Sequence, residues 1–158
     1  MKSKVNVTDS DAEVMDVKLW LRLLSCVSLI ETELRQRMRE QFGSTLPRFD
    51  MLAQLDRFPD GIKMGELSRL MLVTGGNITG LADSLEKEGM AVRVYDPQDR
   101  RSCRVKLTAA GKQQFDQMAR AHQGWLNELL AHLPGEEKAK LYQLLGQFKY
   151  RFTRDTVA

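Results

Sequence analysis

Thr74, Asn77 and Thr79 put three short hydrogen-bonding side chains into one stretch, TGGNIT, and Arg100, Arg101 and Arg104 follow in a polar turn and strand. Hydroxyl and carboxamide groups at helical spacing can read base edges, and asparagine can bond adenine bidentately. Arginines neutralise phosphates and carry no sequence information by doing so. Chemistry of the bond-breaking kind has no comparable signature. His122 and His132 both fall on the helix expected after the hairpin, without a carboxylate and nucleophile at a useful spacing. Cys26 and Cys103 match no metal-ligand spacing. The expectation is therefore a chain that is not an enzyme and takes no metal or cofactor.

The elements that must position those side chains can be read on either side. From Thr74 to Gly89 the apolar residues Ile78, Leu81, Ala82 and Leu85 share one side of a helix, and Asn77, Thr79, Asp83 and Lys87 lie on the other. Thr74 is a natural N-cap, and Gly89 followed by Met90 suits a left-handed C-terminal cap. The period then becomes two. Val92 and Val94, then Cys103, Val105 and Leu107, are expected on the buried face of two strands, separated by Arg93, Ser102, Arg104 and Lys106. Asp96-Pro97-Gln98-Asp99-Arg100-Arg101 joins the strands as a turn. Upstream, Lys63 to Leu72 reads as a short helix, so two helices and a hairpin form a winged helix-turn-helix. Ile62 and Lys63 are expected to pair with the wing.

The flanks are helical. Ser10-Asp11-Ala12-Glu13 has the form of a capping box opening a long helix, with Val14, Val17, Leu21, Leu24, Val27, Leu34, Met38 and Phe42 on or near one stripe and Gly43 at its end. Pro47 suits the first turn of the next helix, which carries Phe49, Leu52 and Leu55. Thr108 caps a helix expected to run to Pro134-Gly135, and a last helix starts at Glu136-Glu137 and carries Leu141, Leu144, Leu145, Phe148 and Phe152. The fold class is mainly α with a small β-hairpin wing, one domain over 1-158. Residues 44-107 form its DNA-binding region, and 10-43 with 108-154 form mainly dimerisation helices. The flanking helices hold more apolar surface than one winged unit can bury, so two copies are expected to interleave as a homodimer, with recognition helices roughly 34 Å apart, one turn of DNA.

The chain has 158 residues and a formal charge of only +3, so bulk charge does not announce a nucleic acid, and the positive charge in the wing carries that argument. No apolar stretch is long enough to span a membrane, the N-terminus MKSKVNVTDSDAEV lacks the apolar core of a secretory signal, and reduced thiols suit a cytoplasmic location.

The run ELSRLMLVTGGNITGLADSLEKEGM followed by DPQDRRSCRVKLTAAGKQQF resembles the signature of the MarR (multiple antibiotic resistance regulator) family of bacterial transcription factors. The resemblance covers about residues 12 to 154. It implies a homodimeric repressor on a palindromic double-stranded operator, released by a small molecule. The helix opening at Thr74 would then read the major groove, Arg101 would enter a minor groove, and Asp99 would hold that arginine in place. Where many members carry a large polar residue near positions 75, 76 or 80, this chain has Gly75, Gly76 and Gly80. Base reading therefore falls to Thr74, Asn77 and Thr79, while the glycines admit close backbone approach to phosphates. Lys63, Arg69, Arg93, Arg100, Arg101 and Arg104 are the candidate phosphate contacts, some of them expected to pair internally with Glu66, Asp96 or Asp99.

TGGN and RFDMLAQLDR also resemble the members that control aromatic-acid catabolism. They imply an aromatic acid or its coenzyme A thioester as effector, with Trp20, Leu24, Phe49 and Leu52 as candidate lining and Arg22 or Arg48 for its anionic group. Two alternatives stay open: an oxidant-responsive repressor acting through a cysteine, for which Cys26 is the better candidate, and a winged protein-interaction module that does not bind DNA.

Overall fold

The computed structural model describes residues 9–71 and 75–154. Six helices and three strands follow in the order α1 (Asp9–Phe42), α2 (Leu46–Asp56), β1 (Ile62–Lys63), α3 (Met64–Met71), α4 (Gly75–Lys87), β2 (Ala91–Tyr95), β3 (Cys103–Leu107), α5 (Ala109–Leu129) and α6 (Gly135–Arg154). The mainly helical architecture with a small antiparallel sheet agrees with the sequence reading. Two compact units partition the chain, residues 1–122 and 123–158.

In the first unit the core is made by Met38, Met51, Leu52, Leu55, Ile62, Leu67, Ile78, Leu85, Val105 and Met118, all almost fully buried. These side chains come from α1, α2, β1, α3, α4, β3 and α5, so the helix-turn-helix and the wing share one apolar centre. The C-terminal part of α1 joins it through Leu34 and Met38, and α1 ends where Gly43 turns left-handed. Thr45 accepts from the Arg48 amide as the N-cap of α2, and Pro47 occupies the first turn, where its missing N–H costs nothing.

The sheet order is β1-β3-β2, and all pairs are antiparallel. The brief strand β1 pairs Ile62 with Val105 and Lys63 with Arg104. On β2 the faces are the reverse of the sequence expectation. Ala91 is buried and Arg93 half-buried, whereas Val92 and Val94 are exposed. Arg93 stands opposite Val105, and Val94 opposite Arg104, which fixes the inner and outer faces. In a strand with period two either phase can be buried, and here the inward arginine finds carboxylates waiting on α4.

Gly89 terminates α4 at φ +74, with the Met90 amide donating to Leu85 O at 2.9 Å and the Gly89 amide to Glu86 O at 3.0 Å. That is the paired 6→1 and 5→2 arrangement of a left-handed helix cap, and it aims the chain directly into β2. Thr108 caps α5 by accepting from the Gly111 amide at 3.0 Å, while its own hydroxyl donates to Gly89 O at 2.6 Å. The start of α5 is thereby fastened to the end of α4.

The start of α1 and the end of α5 differ from expectation. α1 already includes Ser10, so its start lies at Asp9 instead of at a Ser10 cap. α5 stops at Leu129, before Pro134, through a turn in which the Ala131 amide donates to Glu128 O and the Leu133 amide to Leu130 O. His132 therefore lies in that turn and not on a helix. In the second unit α6 carries Phe148 and Phe152 edge to face at 4.9 Å, both exposed. Among the described residues no helix is long and apolar enough to cross a membrane.

Candidate nucleic-acid interface

Helix α4 separates its two jobs by face. Ile78, Ala82 and Leu85 are buried, and Asn77, Thr79 and Gly80 are exposed over the first two turns. Gly75 and Gly76 form its opening turn, and Thr74, expected as its cap, lies outside the described residues. No acidic side chain occupies that first turn.

The wing is ordered by its aspartates. Asp99 Oδ1 accepts from the Arg101 amide at 3.0 Å, its carbonyl accepts from the Ser102 amide at 2.9 Å, and Asp96 Oδ1 accepts from the Gln98 amide at 2.9 Å. Asp99 thus fixes the backbone that carries Arg101, and the Arg100 and Arg101 side chains stand exposed at the tip. Arg104 is exposed on the outer sheet face beside Lys63, and one of its guanidinium nitrogens donates to Gly61 O at 3.1 Å. Arg69 is exposed on α3.

Two arginines are committed internally. Arg93 pairs with Asp83 at 2.6 Å and with Glu86, keeping only 15% of its side chain exposed. Hydrogen bonding to Asp83 is the largest of the causes that raise its pKa. Its place among the expected phosphate contacts is corrected accordingly, and its partners are these α4 carboxylates, not the expected Glu66, Asp96 or Asp99. Arg48 donates to Ser84 Oγ at 2.6 Å and to both carboxylate oxygens of Glu88, at 2.7 and 2.5 Å. Those bonds to Glu88 hold its carboxyl below the usual range. The guanidinium expected to meet an effector's anionic group is thus already matched to a carboxylate in a bidentate fork.

The remaining effector candidates are not brought together within one chain. Trp20 and Leu24 are exposed on α1, and so is Arg22, whereas Phe49 and Leu52 are core. Phe49 packs against Phe115 with ring centroids 5.8 Å apart and against His122 at 4.7 Å. Burial pushes the His122 pKa down, and Asp50 partly opposes the shift. Asp50 is itself raised, chiefly by burial. Cys26 is exposed on α1 and Cys103 half-exposed on β3. Among the described residues no group of His, Cys, Asp and Glu could hold a metal ion.

What sequence reasoning missed was the pair of arginine partnerships. Their members lie seven, ten, 36 and 40 residues apart in the chain, so local periodicity does not reveal them.

Residues 42–102 match the MarR family profile. The chain is 30% identical over 116 residues to the transcriptional activatory protein BadR of Rhodopseudomonas palustris, an alignment covering 72% of this chain and 65% of BadR. It is 30% identical over 88 residues to the transcriptional repressor YetL of Bacillus subtilis, covering 56% of this chain and 53% of YetL. The matches thus span about two thirds of one curated relative and half of the other. The crystal structure of a MarR family transcriptional regulator from Silicibacter pomeroyi superposes with a TM-score of 0.77 at 34% identity, covering 90% of this chain and 98% of that one. Apo MarR from E. coli superposes with a TM-score of 0.70 at 27% identity, covering 80% and 93%.

Proposed function

The chain belongs to the MarR family of transcriptional regulators, and from that premise we propose that it is a homodimeric, ligand-responsive repressor acting on a palindromic operator in the cytoplasm. The observation that carries this reading is the exposed polar face at the start of α4, with Asn77 and Thr79, followed in the chain by a wing whose tip presents Arg100 and Arg101. Asn77 reads a base in the major groove, Thr74 and Thr79 assist, and Gly75 and Gly76 let the helix opening approach the phosphates. Arg101, held by Asp99, enters the neighbouring minor groove, and Arg100 and Arg104 neutralise phosphates. Because these contacts release counterions, binding weakens steeply with salt.

Dimerisation falls to the flanking helices. From Val14 to Leu29, α1 exposes Val14, Val17, Trp20, Leu21, Leu24 and Val27, and α6 exposes Leu141, Leu144, Leu145 and Phe148. Apolar surface of that extent on two helices is what a partner copy covers. Two copies bring two α4 helices to one duplex, which a palindrome requires.

The effector is an aromatic acid or its coenzyme A thioester. Trp20, Leu24 and Arg22, exposed on α1, are its contacts within the dimer, beside the part of α2 that holds Arg48, Phe49 and Leu52. The name of BadR states an activator and that of YetL a repressor, and repression is the reading proposed here. The test is a titration against the intergenic DNA upstream of its own gene, with and without a panel of aromatic acids and their thioesters. Saturable binding relieved by one compound is expected. Binding that no compound relieves removes the aromatic effector, and absence of specific binding removes the repressor.

A further inference from the structure

Helix α4 is gripped at its C-terminal half from two directions. Arg48, reaching from α2, takes Ser84 and Glu88, and Arg93, reaching from β2, takes Asp83 and Glu86. At about 100° per residue the two grips are about 150° apart around the helix axis, on either side of the buried stripe formed by Ile78, Ala82 and Leu85. The same counting puts Asn77 in line with Ser84 and Glu88, about two turns before the first and about three before the second. Thr79 falls in line with Asp83 and Glu86.

We infer that Arg48 is a positioning residue for base reading: by holding Ser84 and Glu88 it sets the rotation of α4 about its axis and so aims Asn77. This rests on the DNA-reading function proposed above. The packed stripe of Ile78, Ala82 and Leu85 decides which side of α4 faces the core, and directional bonds define its rotation more finely. A bidentate guanidinium–carboxylate fork has a fixed plane and two fixed bond directions, which is what rotational definition needs. Arg48 keeps only 16% of its side chain exposed and its Nε is buried without a hydrogen-bond partner, so its geometry is confined. Its neighbour Phe49 is anchored on Phe115 and His122, which ties the grip to α5 rather than to a mobile surface chain.

The experiment begins with a duplex that the wild-type protein selects from a randomised library. Arg48→Met, Glu88→Gln and the exchange Arg48→Glu with Glu88→Arg are then titrated against that duplex and against a random-sequence duplex over a salt series. Positioning predicts that Arg48→Met and Glu88→Gln lose about tenfold in the ratio of selected to random binding, the size of one good base contact. The salt slope stays at the wild-type value, since Arg48 touches no phosphate, and the exchange recovers most of the ratio. If the slope falls by about one and both duplexes weaken together, Arg48 is a phosphate contact and the inference is overturned. An unchanged ratio overturns it too, whatever happens to melting temperature, because a purely structural role lowers stability without altering base preference. Glu88→Gln keeps the test decisive should Arg48→Met fail to fold. A wild-type protein that selects no duplex overturns the DNA-reading function itself, and the role of Arg48 in reading falls with it.

Discussion

A Cβ built on Gly111 would lie 1.9 Å from the carbonyl oxygen of Met90, closer than any real contact, so the α5 backbone runs directly over the α4–β2 corner. That close approach lets Thr108 bond Gly89 and accept from Gly111 at once, and it explains physically why a glycine follows three residues after this threonine. Gly111→Ala should cost at least about 2 kcal/mol, as overpacking of a tight contact does, measured by urea unfolding. A change below about half a kcal/mol would mean that the corner can open at no cost. Asp99→Ala removes the acceptor for the Arg101 amide, and should weaken binding to the selected duplex several-fold while leaving thermal stability within about 0.5 kcal/mol, because the wing tip is exposed. Anisotropy titrations and melting curves separate the two effects. These single-residue features differed in how plainly they could be read. Gly89 and Thr108 follow local rules of helix ends, so their roles were visible in the sequence. The Gly111 contact requires two segments to meet, and nothing local to Gly111 indicates that Met90 will be beneath it.

Helix α2 presents polar side chains to two neighbouring helices. It faces α4 through Arg48 and α5 through Phe49 and Asp50, where burial pushes the His122 pKa down. The folded pKa of His122 is depressed below 6.5, so the unfolded chain takes up its proton first as pH falls. Folding stability should therefore be full above pH 6.5 and decline as pH falls from there toward the lower folded pKa. Asp50 acts in a different window. Its pKa is raised above 3.8, so it costs stability near neutrality and that cost disappears as pH falls through its folded pKa. Urea unfolding of the wild type between pH 7.5 and about 5.5 should show the first decline, and His122→Phe should flatten it. A decline that survives the substitution would assign it to another group. Glu88 adds its loss further down, since its depressed pKa keeps the Arg48 fork intact until pH falls below 4.5. At this scale the sequence was legible where periodicity and caps agreed, as in α2, α4 and β3. It misled in β2, where two valines suggest an inner face and the ion pairs of Arg93 with α4 choose the other phase.

The flanking helices α1 and α6 carry the proposed contact between two copies. α1 is 34 residues long, about 50 Å, and only its C-terminal part reaches the core of the first unit. Each large apolar side chain left in water forgoes about 1.5–3 kcal/mol that burial would supply, so the exposed series on α1 favours a second copy. Leu21→Glu combined with Leu144→Glu should therefore shift the protein from dimer to monomer in sedimentation equilibrium at micromolar concentration. A stable dimer carrying both glutamates would place the interface elsewhere. The winged centre and helical flanks could be read from the sequence because amphipathic patterns announce their own buried faces. An effector site could not, since its candidates split between exposed α1 and the core of α2 and no single-chain pattern joins them.

Sequence-specific DNA reading by the start of α4 is the proposal on which the roles of Asn77, Arg48 and the wing depend. The most direct test is to titrate the wild type and Asn77→Ala, at one fixed salt concentration, against the library-selected duplex and a random-sequence duplex of equal length. The wild type should bind the selected duplex at least about a thousandfold more tightly, with two protein chains per duplex, and Asn77→Ala should lose roughly tenfold or more of that preference. Equal affinity of the wild type for both duplexes would contradict sequence-specific reading, and an unchanged preference in Asn77→Ala would remove this residue from it.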